Sequence, residues 1–218
     1  MTKIIYIEGN IGSGKSTLVS NLKKHYEGRN DILFLQEPVH LWENIKDEDG
    51  NNMIEKFYSN QEKYSFAFQI MAYETRLALL KKAMKDNTIK YIISERSIYT
   101  DRNIFARMLY DDNKMEKVEF DIYNHLFDNH SFEYNIDHVV YVRTTAEKCL
   151  ERVLHRGRKG ESIPLSYLRK CHSYHEKWLR EEDRTTGFEL LELDGCQDIF
   201  KNKNLLNEWI EEINDFLV

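Results

Sequence analysis

The stretch GNIGSGKST at 9–17 fills the pattern GxxxxGK[ST] with Gly9, Gly14, Lys15 and Ser16. It adds Gly12 between them. Glycines let the backbone turn its N–H groups inward, so the loop from Gly9 through Asn10, Ile11, Gly12, Ser13 and Gly14 reads as a cradle for phosphate oxygens. In that chemistry Lys15 neutralises the β- and γ-phosphates, Ser16 ligates Mg²⁺, and Thr17 adds a hydroxyl contact. An ATP-like donor follows, but the acceptor does not, because switch GTPases, motor ATPases and small-molecule kinases all hold phosphate this way.

Three further clusters bear on the acceptor. Glu37, in LFLQEPVHLW, follows an apolar run and precedes Pro38, a position for a carboxylate that accepts a proton from an attacking hydroxyl. In YIISERSIYTDR, Glu95 and Arg96 end another apolar run. Arg96 can bind substrate and keep Glu37 ionised, while Glu95 accepts from Mg²⁺-bound water. In CLERVLHRGRKGES, Arg152 and Arg156 lie one turn apart, and Arg158 and Lys159 follow between Gly157 and Gly160. Cations on a mobile segment read as a lid, about 152–162, that closes on the transferred phosphoryl group.

The elements that must position these residues alternate. Short apolar runs, KIIYIE, ILFLQ, KYIIS, HVVYVR and FELLEL, are separated by helical patterns that include one long segment near 53–86. Near-continuous apolar strands joined by helical crossovers predict an α/β fold, a three-layer, five-stranded parallel sheet with helices on both faces. The charge run EEDR at 181–184 reads as a solvated helix end.

At 218 residues the chain suits one domain with a substantial core. A net charge of −6 with mixed signs excludes a global nucleic-acid surface. Cys149, Cys171 and Cys196 are far apart and form no CxxC pair, which argues against a disulfide framework and a zinc site. The first apolar run is only IIYI before Glu8, so the expectation is no signal peptide, no membrane span and a cytoplasmic location.

GNIGSGKST, EPV followed by Trp42, FAFQ ending at Gln69, ERSIYTDR, and YVRTTAEKCLERVLHRGRKGESIPLSYLRKCHSYHEKWL stand in one order over nearly the whole chain. In these the sequence resembles the deoxynucleoside kinase family. The resemblance implies a P-loop kinase fold, ATP as donor, a deoxynucleoside as acceptor, and a homodimer. It makes Glu37 the general base for the sugar 5′-hydroxyl with Arg96 beside it, and gives Glu95 a part in holding Mg²⁺. It assigns Tyr58 and Glu161 to the deoxyribose 3′-hydroxyl, Gln69 to the base edge, and Trp42, Phe68 and Phe105 to the base pocket. Arg152, Arg156 and Arg158 match lid arginines, and Asp198 is counted with the donor-binding residues. The base-discriminating positions hold Ala72, Arg76 and Asp101, as in the deoxycytidine and deoxyguanosine kinase branch, so purine deoxynucleosides and deoxycytidine are expected over thymidine. Many lids of the family carry two adjacent acidic residues, where this sequence has Gly160 before Glu161. The rival is a nucleoside monophosphate kinase of the thymidylate kinase type, and Glu37 would repel its acceptor phosphate. A nucleotide-dependent switch is more distant, since the guanine-reading NKxD signature is missing from the sequence.

Overall fold

The computed structural model describes residues 2–181, 187–199, 201–202 and 204–217. Five strands, β1 (Lys3–Glu8), β2 (Ile32–Leu35), β3 (Tyr91–Glu95), β4 (His138–Arg143) and β5 (Glu189–Asp194), form one sheet in the order β2-β3-β1-β4-β5. Every pairing is parallel, with Ile5 opposite both Ile93 and His138. The five apolar runs of the sequence are these strands, shifted by at most one residue at an end.

The period of two in a strand explains the three layers. Ile4 and Tyr6 of β1 pack with Ile92 against α4 (Gln61–Ala83), through Tyr73, Leu77 and Leu80. Ile5 and Ile7 point the other way, with Ile93, Val140 and Val142, onto Leu18 and Leu22 of α1 (Lys15–His25) and Trp209, Ile210 and Ile213 of α10 (Leu205–Asn214). Each fully buried aliphatic side chain contributes about 1.5–3 kcal/mol. The central strands are thus dry on both faces, and ligands are left only the sheet edges.

The long segment near 53–86 is two helices, α3 (Met53–Ser59) and α4. Asn60 divides them with an extended φ of −155°, and its side chain accepts from Lys63 N–H at 3.2 Å to start α4. An asparagine that caps a new helix stabilises the break more than continuation would. Between β2 and α3 lies the short α2 (Val39–Asn44), which begins after Pro38. After β3, α5 (Ile98–Thr100) runs into a π-helical stretch, Asp101–Ala106, and then α6 (Arg107–Asp111). A second π stretch, Lys177–Glu181, follows α9 (Leu165–Glu176), while α7 (Lys117–His130) and α8 (Ala146–Arg156) fall where the helical patterns stand. Residues 182–184 of the EEDR run lie outside the described residues. Among the described residues no helix is long and apolar enough to cross a membrane, and all three cysteines are free.

Candidate active site

The carboxyl ends of the strands converge on one cleft of about 800 Å³. This is the edge where open parallel sheets hold ligands. After β1 the glycine loop turns directly into α1, whose N-cap is Gly14. Its first turn therefore has no side chain competing for the N–H groups. Gly12 sits so close to α8 that a Cβ there would stand 2.6 Å from the Cys149 carbonyl oxygen, at a φ of +80°. Lys15 is buried, and its ammonium donates to the Asn10 carbonyl at 2.6 Å. Burial, with Arg96 nearby, lowers its pKa to about 7. Ser16 donates to Glu95 at 2.5 Å, which joins the phosphate loop to the end of β3.

The acceptor side is built around Glu37, which leaves β2 with about a fifth of its side chain, 21%, open to the cleft. Burial alone would raise its carboxyl, but Arg96, Arg76 and Lys15 outweigh that and hold it at about 2. Arg76 Nη2 donates to Glu37 at 3.0 Å, and Arg96 Nε lies 3.2 Å from the same oxygen. Arg96 itself adopts a φ of +65°, donates to the Gly9 carbonyl at 2.9 Å and covers the Phe105 ring at 5.0 Å. That backbone is fixed from below by Glu8, fully buried, which accepts from Ser97 N–H at 2.8 Å and from the Thr100 hydroxyl. Arg76 also donates through Nε to Asp101 at 2.9 Å and through Nη1 to the Glu95 carbonyl at 3.1 Å. Burial raises the Asp101 carboxyl, and Arg76 opposes the rise.

An apolar wall faces this network. Trp42 meets Phe68 edge-on at 5.6 Å, and Phe57 stacks on Phe68 at 4.5 Å. The Trp42 indole N–H is satisfied by Thr75 at 3.0 Å, so the ring serves as surface. Gln69 is only 2% exposed, and its Oε1 has no partner among the described residues. A buried amide oxygen without a partner at a cleft wall calls for a ligand donor. Lining the same cleft, Arg156 and Arg158 pair with Glu161 at 2.6 and 3.5 Å. Arg152 donates to the Ser13 and Gln197 carbonyls, tying α8 to both the phosphate loop and the segment after β5.

A model of the family "deoxynucleoside kinase" matches residues 5–218. The chain is 38% identical to deoxycytidine kinase of Bos taurus over 99% of its length and 91% of the relative's. It is 33% identical to a probable deoxycytidine kinase of fowlpox virus, over 99% of this chain and 88% of that one. To the mitochondrial deoxyguanosine kinase of Xenopus laevis it is 30% identical, over 86% and 77% respectively. The chain belongs to the deoxynucleoside kinase family. It is therefore a phosphotransferase with the P-loop kinase architecture, and membership implies ATP and a deoxynucleoside as substrates.

In this deoxynucleoside kinase the residues singled out from the sequence gather tightly. Glu37, Trp42, Tyr58, Phe68, Gln69, Ala72, Arg76, Arg96, Asp101, Phe105 and Glu161 all line the cleft. So do Ile11 through Thr17, Glu95, Arg152, Arg156, Arg158 and Asp198. Gly9 and Asn10 do not line it. Asn10 instead locks the loop from behind, donating to the Leu168 carbonyl at 2.8 Å and accepting from Ile11 N–H. Sequence reasoning missed Phe57 and Glu8. Phe57 was visible only as a helical-period apolar residue, whereas Glu8 was signalled by a charge closing an otherwise apolar strand. It also gave Glu37 one cationic neighbour, Arg96, where the kinase supplies Arg76 as a second. Among the described residues no group of three or more His, Cys, Asp or Glu is arranged to hold a metal.

Proposed function

We propose that this kinase transfers the γ-phosphoryl group of ATP to the 5′-hydroxyl of a deoxynucleoside, with Glu37 receiving the hydroxyl proton. The observation that carries the reading is the ionised Glu37, clamped between Arg76 and Arg96 and open to the same cleft as Lys15 and Ser16. An anion at that place favours a neutral hydroxyl acceptor and disfavours a monophosphate.

A carboxylate held at about 2 is a weak base, so it does not strip the hydroxyl in advance. It accepts the hydroxyl's hydrogen bond, aims the oxygen at the γ-phosphorus, and takes the proton as the new P–O bond forms and ADP departs. The loose transition state of phosphoryl transfer asks for this late transfer and for positioning. Lys15, Arg96, Arg156 and Arg158 neutralise charge on the transferred group, and Arg152, with Asp198 and residues 11–17, forms the donor site, which Asn10 braces from behind. Ser16 Oγ and Glu95, 2.5 Å apart, offer hard oxygens that fit Mg²⁺ once phosphate oxygens complete its shell. Bound there, Mg²⁺ supplies charge neutralisation at the β- and γ-phosphates.

On the acceptor, Tyr58 and Glu161 take the 3′-hydroxyl, Gln69 pairs with the base edge, and Trp42, Phe68 and Phe105 enclose the base. The buried Arg76–Asp101 pair, beside Ala72, occupies the room a thymine methyl needs, which favours purine deoxynucleosides and deoxycytidine over thymidine. One domain, 1–218, carries the site in a cytoplasmic homodimer. The exposed Val118 and Ile122, four residues apart on α7, support an unpaired apolar face of the kind a second copy covers.

The test is Glu37→Gln. The amide keeps the shape and cannot accept the proton, so kcat falls at least ~10²-fold while nucleoside affinity stays within about threefold. Near-normal turnover would remove Glu37 from its role.

A further inference from the structure

The tip of the lid rests on α3, the helix that carries Tyr58. Gly160, at a φ of +76°, lies so close to Glu55 that a Cβ there would overlap Glu55 Cγ and stand 3.2 and 3.3 Å from its Cβ and Cα. Lys159 closes the same contact with an ion pair to Glu55 at 3.0 Å. Glu55 is itself fixed at the base of α3, since its carboxylate accepts from Asn52 N–H at 2.9 Å while the Asn52 side chain accepts from Glu55 N–H at 3.0 Å. The hydrogen bond from Asn52, followed by the one from Lys159, holds the Glu55 carboxyl below its usual range. One carboxylate therefore ends a helix-capping box and receives the lid.

We propose that Glu55 is a positioning residue: by docking Lys159 and Gly160 it seats the lid so that Arg156, Arg158 and Glu161 face the acceptor bound next to Tyr58. The inference rests on the deoxynucleoside kinase reading and deepens it. Glu55 touches neither substrate in this account. It acts through the lid backbone, three residues before Tyr58 on the same helix, so acceptor binding and lid closure share one anchor. Glycine at 160 is what the approach requires, because any side chain there meets Glu55 and the left-handed backbone penalises L-residues. The sequence peculiarity of the lid, a glycine in front of its single Glu161, then has a purpose in this chain.

The test is a double-mutant cycle with Gly160→Ala and Glu55→Ala, read as kcat and KM for the nucleoside, with the melting temperature and hydrogen exchange of lid amides 157–163 measured alongside. Gly160→Ala is expected to lower kcat/KM about tenfold and to speed lid exchange, with the melting temperature within about 2 °C of the parent. In the Glu55→Ala background the same change costs less, about threefold, because the overlapping Cγ is gone while the Cβ and Cα of residue 55 and the left-handed backbone at 160 remain. Glu55→Gln keeps an acceptor for Asn52 N–H and is expected to stay within about threefold of the parent. Equal Gly160→Ala penalties in the two backgrounds, or lid exchange unchanged by Gly160→Ala, would overturn the proposal. If Glu55→Ala proves poorly folded, exchange in Gly160→Ala and in Glu55→Gln still decides it. Lack of turnover by the parent protein would count against the proposed function instead, and leaves the exchange measurement to judge the latch.

Discussion

Arg76 performs two tasks with one guanidinium. Its Nε faces Asp101, while Nη2 reaches Glu37, so the side chains proposed to read the base are wired to the proposed catalytic carboxylate. The planar fork of arginine permits this and a lysine would not. The wiring has a pH consequence. Because Glu37 sits at about 2, its carboxylate persists down to that pH, so kcat/KM of the parent enzyme shows no acid limb from this group between pH 4 and 6. Replacing the pair together, as Arg76→Met with Asp101→Ala, leaves no unpaired buried charge but removes one of the cations that lower Glu37. The acid limb then moves to higher pH, and the ratio of thymidine to deoxycytidine turnover rises. A pH–rate profile on both substrates reads both effects, and an unchanged limb and unchanged substrate ratio would separate Arg76 from both tasks. The Arg76–Asp101 association was within reach only through the family resemblance, which marks both as base-discriminating positions. The bond to Glu37 was not, because it spans 39 residues and depends on side-chain directions that sequence spacing does not give.

At the scale of elements, the strands were the most legible parts, since β-branched runs bounded by polar residues have few other uses in a buried parallel sheet. Helix boundaries were less so. The break at Asn60 was hidden because residues on both sides favour helix, and only the capping side chain distinguishes two helices from one. That break turns α3 relative to α4, so that Tyr58 and Phe57 meet the wall carrying Phe68 and Gln69. Removing the cap with Asn60→Ala is expected to cost ~0.5–2 kcal/mol, and Asn60→Gly only a few tenths. Urea denaturation measures both, with a lower midpoint and an unchanged m-value expected for the alanine variant. The π-helical stretch Asp101–Ala106, which carries both Asp101 and Phe105 to the cleft, was also invisible.

Across the whole molecule, the strand order β2-β3-β1-β4-β5 sets the division of labour. Glu37 after β2, and Glu95 with Arg96 at the end of β3, stand on one side of the phosphate loop. The loops after β4 and β5 stand on the other, where Arg152 joins Ser13 to Gln197. In the proposed reaction donor and acceptor therefore approach from opposite halves of one sheet edge, and Arg156 and Arg158 line the cleft they share. The motifs picked out residues that gather in one cleft, and right-handed crossovers announced that they would share an edge. The lid's seat on α3 was beyond reach, because a backbone-to-side-chain contact leaves no pattern in either partner. In the proposed reaction the acceptor is a nucleoside hydroxyl and not a phosphate. The direct measurement is ATP-dependent product formation with the common deoxynucleosides, their ribose counterparts and the matching monophosphates, each product identified by chromatography. The expected products are 5′-monophosphates from deoxycytidine and the purine deoxynucleosides, with thymidine poor; product formed only from monophosphates would overturn a hydroxyl acceptor.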